Sequence, residues 1–249
     1  MLRCACFAND AIPMKGLRQF LKASRRRRKL RRFVDGVDFL GPAEREKFRE
    51  IVYFFEGKSL TSWEEQAHLF LLATVAPENG TIVEVGSWIG HGTCLLAAGV
   101  RGPSARVFAV DTFDNTTKSP IEKADLASFL LKVDRNLTQR EQFEQHLRRF
   151  QVRERVTPIP FLSDEAIHHL PLKPGSVDLL FIDGGHSLEV VRKDIELYVP
   201  LVKAGGTVAF HDFDTGHVGV TNAVWEAVLR GTFPTYVRKR GSLLILQKG

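Results

Sequence analysis

Residues Thr81–Thr93 read TIVEVGSWIGHGT. Ile82, Val83, Glu84 and Val85 predict a short buried strand ending on Gly86, and the CLLAAGV that follows Thr93 extends an apolar helix. Between them lies a turn holding Ser87, Trp88, Gly90 and Gly92. A strand that breaks through glycines into a helix start is a device for cradling a nucleotide. The glycines let the backbone approach a ligand closely, and the unpaired N–H groups of the helix start point into the space so formed. The spacing is E-x-G-x-x-x-G-x-G, whereas a dinucleotide fingerprint reads G-x-G-x-x-G. Glu84, two residues before the first glycine, is placed to meet a cationic group rather than a pyrophosphate.

A second landmark lies further along the chain. The run RVFAVD ends on Asp111, at the tip of a second predicted strand, and in nucleotide-binding α/β folds an acid there accepts hydrogen bonds from ribose hydroxyls. A structural turn and a surface aspartate would have to produce both features by coincidence. Together they resemble the S-adenosylmethionine (SAM) loop of class I methyltransferases. The resemblance implies that Glu84, Gly86, Ser87, Trp88, Gly90 and Asp111 bind this methyl donor.

Composition bounds the rest. The chain has 249 residues, 44% of them hydrophobic, enough for one α/β domain burying about three quarters of its unfolded surface. No apolar run approaches the roughly 18 residues of a membrane span, and no internal repeat or low-complexity tract is present. Cys4, Cys6 and Cys94 cannot build a disulfide framework and fit a reducing, cytoplasmic setting. Charge is divided unevenly. Residues 1–34 hold eleven Lys or Arg against one acid, Asp10, a net +10; the remaining chain carries 24 basic and 28 acidic residues, a net −4. The densest part, Lys22–Arg32, reads KASRRRRKLRR. Such a run is most simply a solvated, partly helical extension, and it is also suited to an anionic surface such as the inner face of a membrane. Its Arg-rich, acid-poor character is compatible with organellar targeting, and no secretory signal follows it.

From residue 35 onward the pattern is helical and then alternating. GPAEREKFREIVYFFEG reads as an amphipathic helix, and Ser62 with Glu65 forms a capping box opening a second helix that stops at Pro77. Strands are expected at 81–85, 106–110, 156–161, 177–182 and 206–210, with helices at about 91–100, 188–199 and 221–229. A long connection over 112–137 is a candidate substrate loop, and Thr138 with Glu141 caps the helix after it. TYVRK and SLLILQ form a closing hairpin. This predicts an α/β fold with a doubly wound, mostly parallel seven-stranded sheet of Rossmann-like methyltransferase type, a C-terminal antiparallel hairpin and an N-terminal helical extension. The division is a basic arm (1–34), a helical cap (35–78) and the methyltransferase domain (79–249).

Ligands of an open parallel sheet bind at the carboxyl ends of its strands, so the polar residues there define the site. Strand three contributes Ser163 and Asp164, placed to bond an adenine edge; helix capping is the alternative for Ser163. Strand four ends in FIDGGH, with Asp183 and His186, and strand five in VAFHDF, with His211 and Asp212. Neighbouring strands lie about 4.8 Å apart, so Asp183 should converge with His211 and Asp212. Two carboxylates and an imidazole suit a divalent cation; oxygen ligands favour Mg²⁺, while the imidazole leaves Mn²⁺ or Zn²⁺ open. The alternative is that His211 and Asp212 merely bond backbone groups. His91, His168 and His169 read as helix or surface residues, and His217 as a weaker candidate for substrate contact.

The pattern FIDGGHSLEVVRKDI…GGTVAFHD, with VFAVDTFD before it, resembles the macrocin and cephalosporin-hydroxylase-associated O-methyltransferase group from about Ser62 to Lys248. The resemblance implies a hydroxyl acceptor on a sugar or sugar-bearing molecule or glycan, a homo-oligomer, Asp183 at the cofactor, and Mg²⁺ held at Asp183, His211 and Asp212. An acid is usual where His211 stands. It also implies that His186 is the catalytic base. A nicotinamide oxidoreductase would need glycine spacing this chain lacks. A nucleic-acid methyltransferase is suggested by the arm, but base-methylating relatives carry N/D-P-P-Y/F where this chain has DGGH, and the acidic domain opposes a phosphate backbone crossing it. A non-catalytic SAM-binding or assembly protein is the third alternative.

Overall fold

The computed structural model describes residues 14–114, 134 and 136–249. Cys4, Cys6 and residues 115–133 and 135 of the expected substrate loop lie outside the described residues. The chain divides into two compact units, residues 1–38 and 39–249. In the first, the cationic run lies on helix α1 (Met14–Asp35), with Arg25, Arg26, Arg27, Arg28 and Lys29 exposed. No described helix is long and apolar enough to cross a membrane.

The second unit opens with α2 (Pro42–Phe55) and α3 (Trp63–Val75). Phe48, Ile51, Val52 and Phe55 are the buried residues of α2, a three- and four-residue spacing that lines one helical face. The expected capping box of α3 forms: Ser62 accepts from the Glu65 N–H and Glu65 from the Ser62 N–H. The sheet follows: β1 (Thr81–Val85), α4 (His91–Gly99), β2 (Arg106–Val110), α5 (Gln139–Arg149), β3 (Val156–Ile159), the short α6 (Ser163–Ala166), β4 (Val177–Ile182), α7 (Leu188–Tyr198), β5 (Val202–Phe210), α8 (Val218–Leu229), β6 (Thr235–Arg240) and β7 (Leu243–Gln247). Strand order is β3-β2-β1-β4-β5-β7-β6. β1 to β5 pair in parallel, and β7 lies antiparallel between β5 and β6. All six positions of β4 are buried, as expected of a strand covered on both faces. Its one acid, Asp178, accepts from the Thr81 N–H at 2.8 Å and from Lys203 Nζ at 2.6 Å.

Three boundaries differ from expectation. β3 ends at Ile159, because the chain turns there and the Phe161 N–H donates back to the Ile159 carbonyl. β5 starts at Val202 instead of Gly206: Gly205 takes a left-handed backbone (φ 73°), and the pairing with β4 slips between Val177 and Leu179. Such a bulge keeps a glycine-bearing stretch within the ladder. α8 starts at Val218, three residues before the expected 221.

The register aligns the strand tips. Val85 stands opposite Val110 and Ile182, and Ile182 opposite Phe210. One residue further on the ladder still holds: the Gly86 N–H donates to the Val110 carbonyl and the Asp183 N–H to the Val85 carbonyl, both at 2.8 Å, and the His211 N–H to the Ile182 carbonyl at 3.0 Å. Asp111, Gly86, Asp183 and His211 therefore form a row along the carboxyl edge. Beneath it Val85, Val110, Ile182 and Phe210 pack with Val191 and Ile195 of α7 and Val220 and Val224 of α8 in one buried cluster. Strand order reverses between β1 and β4, the position where open α/β sheets bind ligands.

Candidate active site

The first half of the site is the glycine turn. Gly86 has φ 92°, and a Cβ there would strike the backbone of Asp183 and Gly184, so the tips of β1 and β4 can meet only through a glycine. Gly90, also left-handed at φ 85°, lies under the Phe143 ring, 2.8 Å from where a Cβ would sit. Glu84 is buried beneath the turn, accepting from Ser87 Oγ at 2.8 Å and from Thr93 Oγ1. Its carboxyl group braces the turn, and loss of water pushes its pKa to about 8 against the opposing pull of those two hydroxyls. Trp88, Phe113 and Asp212, three non-glycine residues flanking the tips, have left-handed backbones with φ 45°, 57° and 57°, a conformation costing roughly 1–2 kcal/mol each.

Asp111 is saturated with donors. Its Oδ2 accepts from the N–H groups of Ser87 (3.0 Å) and Trp88 (2.7 Å), and its Oδ1 from the Phe113 N–H (2.8 Å) and Gln139 Nε2 (2.9 Å). Burial raises its pKa in spite of these four bonds. Gln139, at the first turn of α5, carries no motif and could not be picked out from the sequence.

The second half lies at the tips of β4 and β5. His211 Nδ1 is 3.1 Å from Asp183 Oδ1 and 3.2 Å from Asp212 Oδ2. The same Asp212 oxygen is 3.1 Å from His186 Nε2, and the His217 ring lies 4.0 Å from that of His186 between centroids. Ligand atoms of Asp183, His211 and Asp212 converge, as do those of His186, Asp212 and His217, and Asp212 belongs to both groups. His211 is 7% exposed, while the Asp183 and Asp212 side chains keep 26% and 20%, so the cluster opens on the carboxylate side. Burial alone would depress the His211 pKa, but Asp183, Asp212 and Glu65 hold it far above the ordinary value. Burial would raise Asp212, and its contacts with His186 and His211 drive it far below.

The donor set fits a divalent cation. Two ligands at right angles, each about 2.1 Å from an ion, are about 3 Å apart, which is the spacing between Nδ1 and each carboxylate oxygen. Without a cation, only a proton on Nδ1 lets an imidazole face two carboxylates so closely.

Ser163 and Asp164 follow β3 at the start of α6. Asp164 lies 3.0 Å from Lys193 Nζ, and Ser163 offers its carbonyl to the Tyr198 hydroxyl at 2.7 Å; the N-cap of α6 is Leu162, without a side-chain cap. His91 is a buried residue of α4 against the Phe55 ring, and burial lowers its pKa to about 3. Two residues at the cluster carry no site signal in the sequence. The S-x-x-E pattern marks Glu65 only as a helix cap, and Ser242, in the β6–β7 turn, belongs to no motif; both reach His211.

Residues 83–213 of the chain, just over half of it, match the family model of a methyltransferase domain. An uncharacterized protein of Acanthamoeba polyphaga mimivirus is 35% identical over 69 residues, a match spanning 28% of this chain and 27% of that protein. Among solved structures, the O-methyltransferase NovP is similar at a TM-score of 0.59 and 17% identity, over 77% of this chain and 82% of that one. TomG from Streptomyces achromogenes, an O-methyltransferase involved in tomaymycin synthesis and solved with SAM, is similar at 0.54 and 16%, over 84% and 91%. At these identities the two likenesses show a shared fold.

Proposed function

This chain belongs to the methyltransferase-domain family, and from that premise we propose that it is a SAM-dependent O-methyltransferase, assisted by a divalent cation, acting on a hydroxyl of a sugar or sugar-bearing molecule. One observation carries the reading: Asp183, His186, His211 and Asp212 meet at contacts of 3.1–3.2 Å on the strand edge that also bears the glycine turn. When bound, the sulfonium supplies a methyl carbon that leaves sulfur as it joins oxygen, and the cation supplies charge that lowers the pKa of the acceptor hydroxyl.

The chain's own residues do the remaining work. Gly86 lets the tips of β1 and β4 close on one another and Gly90 seats the turn under the Phe143 ring, which fixes the backbone that meets the methyl donor, and Glu84 fixes the turn from below. Asp111 receives the ribose hydroxyls; Gln139 is the one side chain among its four donors, so it is the group that gives way. Asp183, His211 and Asp212 hold Mg²⁺ or Mn²⁺. His186, oriented by the shared Asp212 oxygen that faces its Nε2 at 3.1 Å, takes the proton that leaves the acceptor. Alignment of the two reactants contributes most of the rate, on the order of 7–11 kcal/mol. The exposed cations Arg25 to Lys29 support contact of the arm with an anionic membrane surface.

The test is a panel of glycosylated small molecules incubated with labelled SAM and Mg²⁺ or Mn²⁺, with the methylated atom identified. The expected product is a methyl ether. His186→Ala should slow its formation by about 10²–10⁴-fold while leaving SAM affinity unchanged. Methylation at nitrogen or carbon, or full activity in His186→Ala, would refute the assignment.

A further inference from the structure

His211 has two ring nitrogens, and the second is as tightly governed as the first. Nε2 lies 3.2 Å from Ser242 Oγ and 3.6 Å from Glu65 Oε2. Glu65 Oε1 in turn accepts from both the hydroxyl and the N–H of Ser242, at 2.8 and 2.5 Å. A serine hydroxyl carries a single hydrogen. That hydrogen is committed to Glu65, so Ser242 Oγ can only accept from His211, and the ring must carry a hydrogen on Nε2. Nδ1 is then the nitrogen left to face Asp183 and Asp212.

A capping role does not account for this arrangement. The box at Thr138 and Glu141 has the same geometry at the start of α5, and its glutamate is exposed. Glu65 is 6% exposed, and capping uses only its Oε2, which accepts the Ser62 N–H at 2.6 Å. Its other oxygen crosses 177 residues of sequence to Ser242. The β6–β7 turn is shaped to admit it: Gly241 is left-handed at φ 54°, and a Cβ there would collide with the Glu65 carboxylate. Burying a carboxylate away from water costs free energy unless its hydrogen bonds are replaced, and here they are replaced by donors leading to His211.

We infer that Glu65 and Ser242 are positioning residues of the cation site, forming a carboxylate–hydroxyl–imidazole relay that holds hydrogen on Nε2 of His211 and presents Nδ1 with Asp183 and Asp212 to the ion. This rests on the cation reading proposed above and extends it to α3 and the hairpin turn. Partners of this kind fix the tautomer and orientation of metal-bound histidines, and their loss costs about 10- to 100-fold in affinity.

The experiment titrates full-length protein with Mn²⁺, reading free ion by its electron paramagnetic resonance signal. Glu65→Gln, which keeps an acceptor for the Ser62 N–H, and Ser242→Ala should each weaken Mn²⁺ binding by about 10- to 100-fold. The double variant should be little worse than the weaker-binding single one, because the two residues act as one relay. Glu141→Gln, which touches the matching exposed cap, should bind as wild type. Folded Glu65→Gln and Ser242→Ala proteins with wild-type affinity would overturn the relay and leave the cation reading standing; a wild type that binds no Mn²⁺ would overturn both. Should the variants fail to fold, the ¹⁵N–¹H correlation of the His211 ring in the Zn²⁺-loaded wild type decides: hydrogen on Nε2 supports the relay, and hydrogen on Nδ1 ends it.

Discussion

Glu84 shows how one buried acid can serve as a brace and leave a trace in solution. Burial moves its pKa from the ordinary 4.5 to about 8, so folding favours its neutral form. The resulting stability is complete below the unfolded value and is lost as pH rises through about 8. Glu84→Gln removes the titration and keeps an acceptor for Ser87 and Thr93. The melting temperature of the variant minus that of wild type should therefore climb between pH 5 and pH 8 and then level off. A difference that stays flat across this range would mean that Glu84 is ionised in the folded chain. His211, whose pKa is also raised, titrates in both proteins and drops out of the comparison.

Among the elements, those with a local cause were legible in the sequence. Both capping boxes form as read, β1, β2 and β4 begin and end where expected, and the final two strands pair as an antiparallel hairpin. The tip residues followed from them, since a parallel register carries Asp183 and His211 to one edge. Contacts chosen by tertiary placement were not legible. Nothing in S-x-x-E says that one such glutamate will be exposed and another buried against a turn 177 residues away. Asp164 could not be assigned to Lys193, nor Gln139 to Asp111, because both partners come from helices whose rotation about the sheet no periodicity specifies at atomic detail.

Helix α1 supports a prediction of its own. A cation near an anionic bilayer contributes about 1 kcal/mol, so replacing Arg25, Arg26, Arg27 and Arg28 by glutamine should reduce partition onto phosphatidylserine vesicles by about 10³-fold. Wild-type binding should vanish in high salt. Equal partition of the two proteins, or binding to neutral phosphatidylcholine that salt does not weaken, would remove the membrane role of the arm.

At the scale of the molecule, the second unit draws one site from distant parts of the chain. α3 supplies Glu65, the β1 turn the proposed cofactor cradle, β4 and β5 the carboxylates and imidazoles, and the hairpin turn Ser242. The acidic balance of residues 35–249, against the cations gathered in the first 34, suits a cleft that receives a sulfonium and a divalent ion. Every other proposed role depends on this edge binding the methyl donor. Calorimetric titration of the folded, full-length protein with S-adenosylhomocysteine, with and without Mg²⁺ or Mn²⁺, addresses it directly. Saturable binding at one site per chain, lost in Asp111→Asn, is the predicted result; no binding heat under any of these conditions would contradict it.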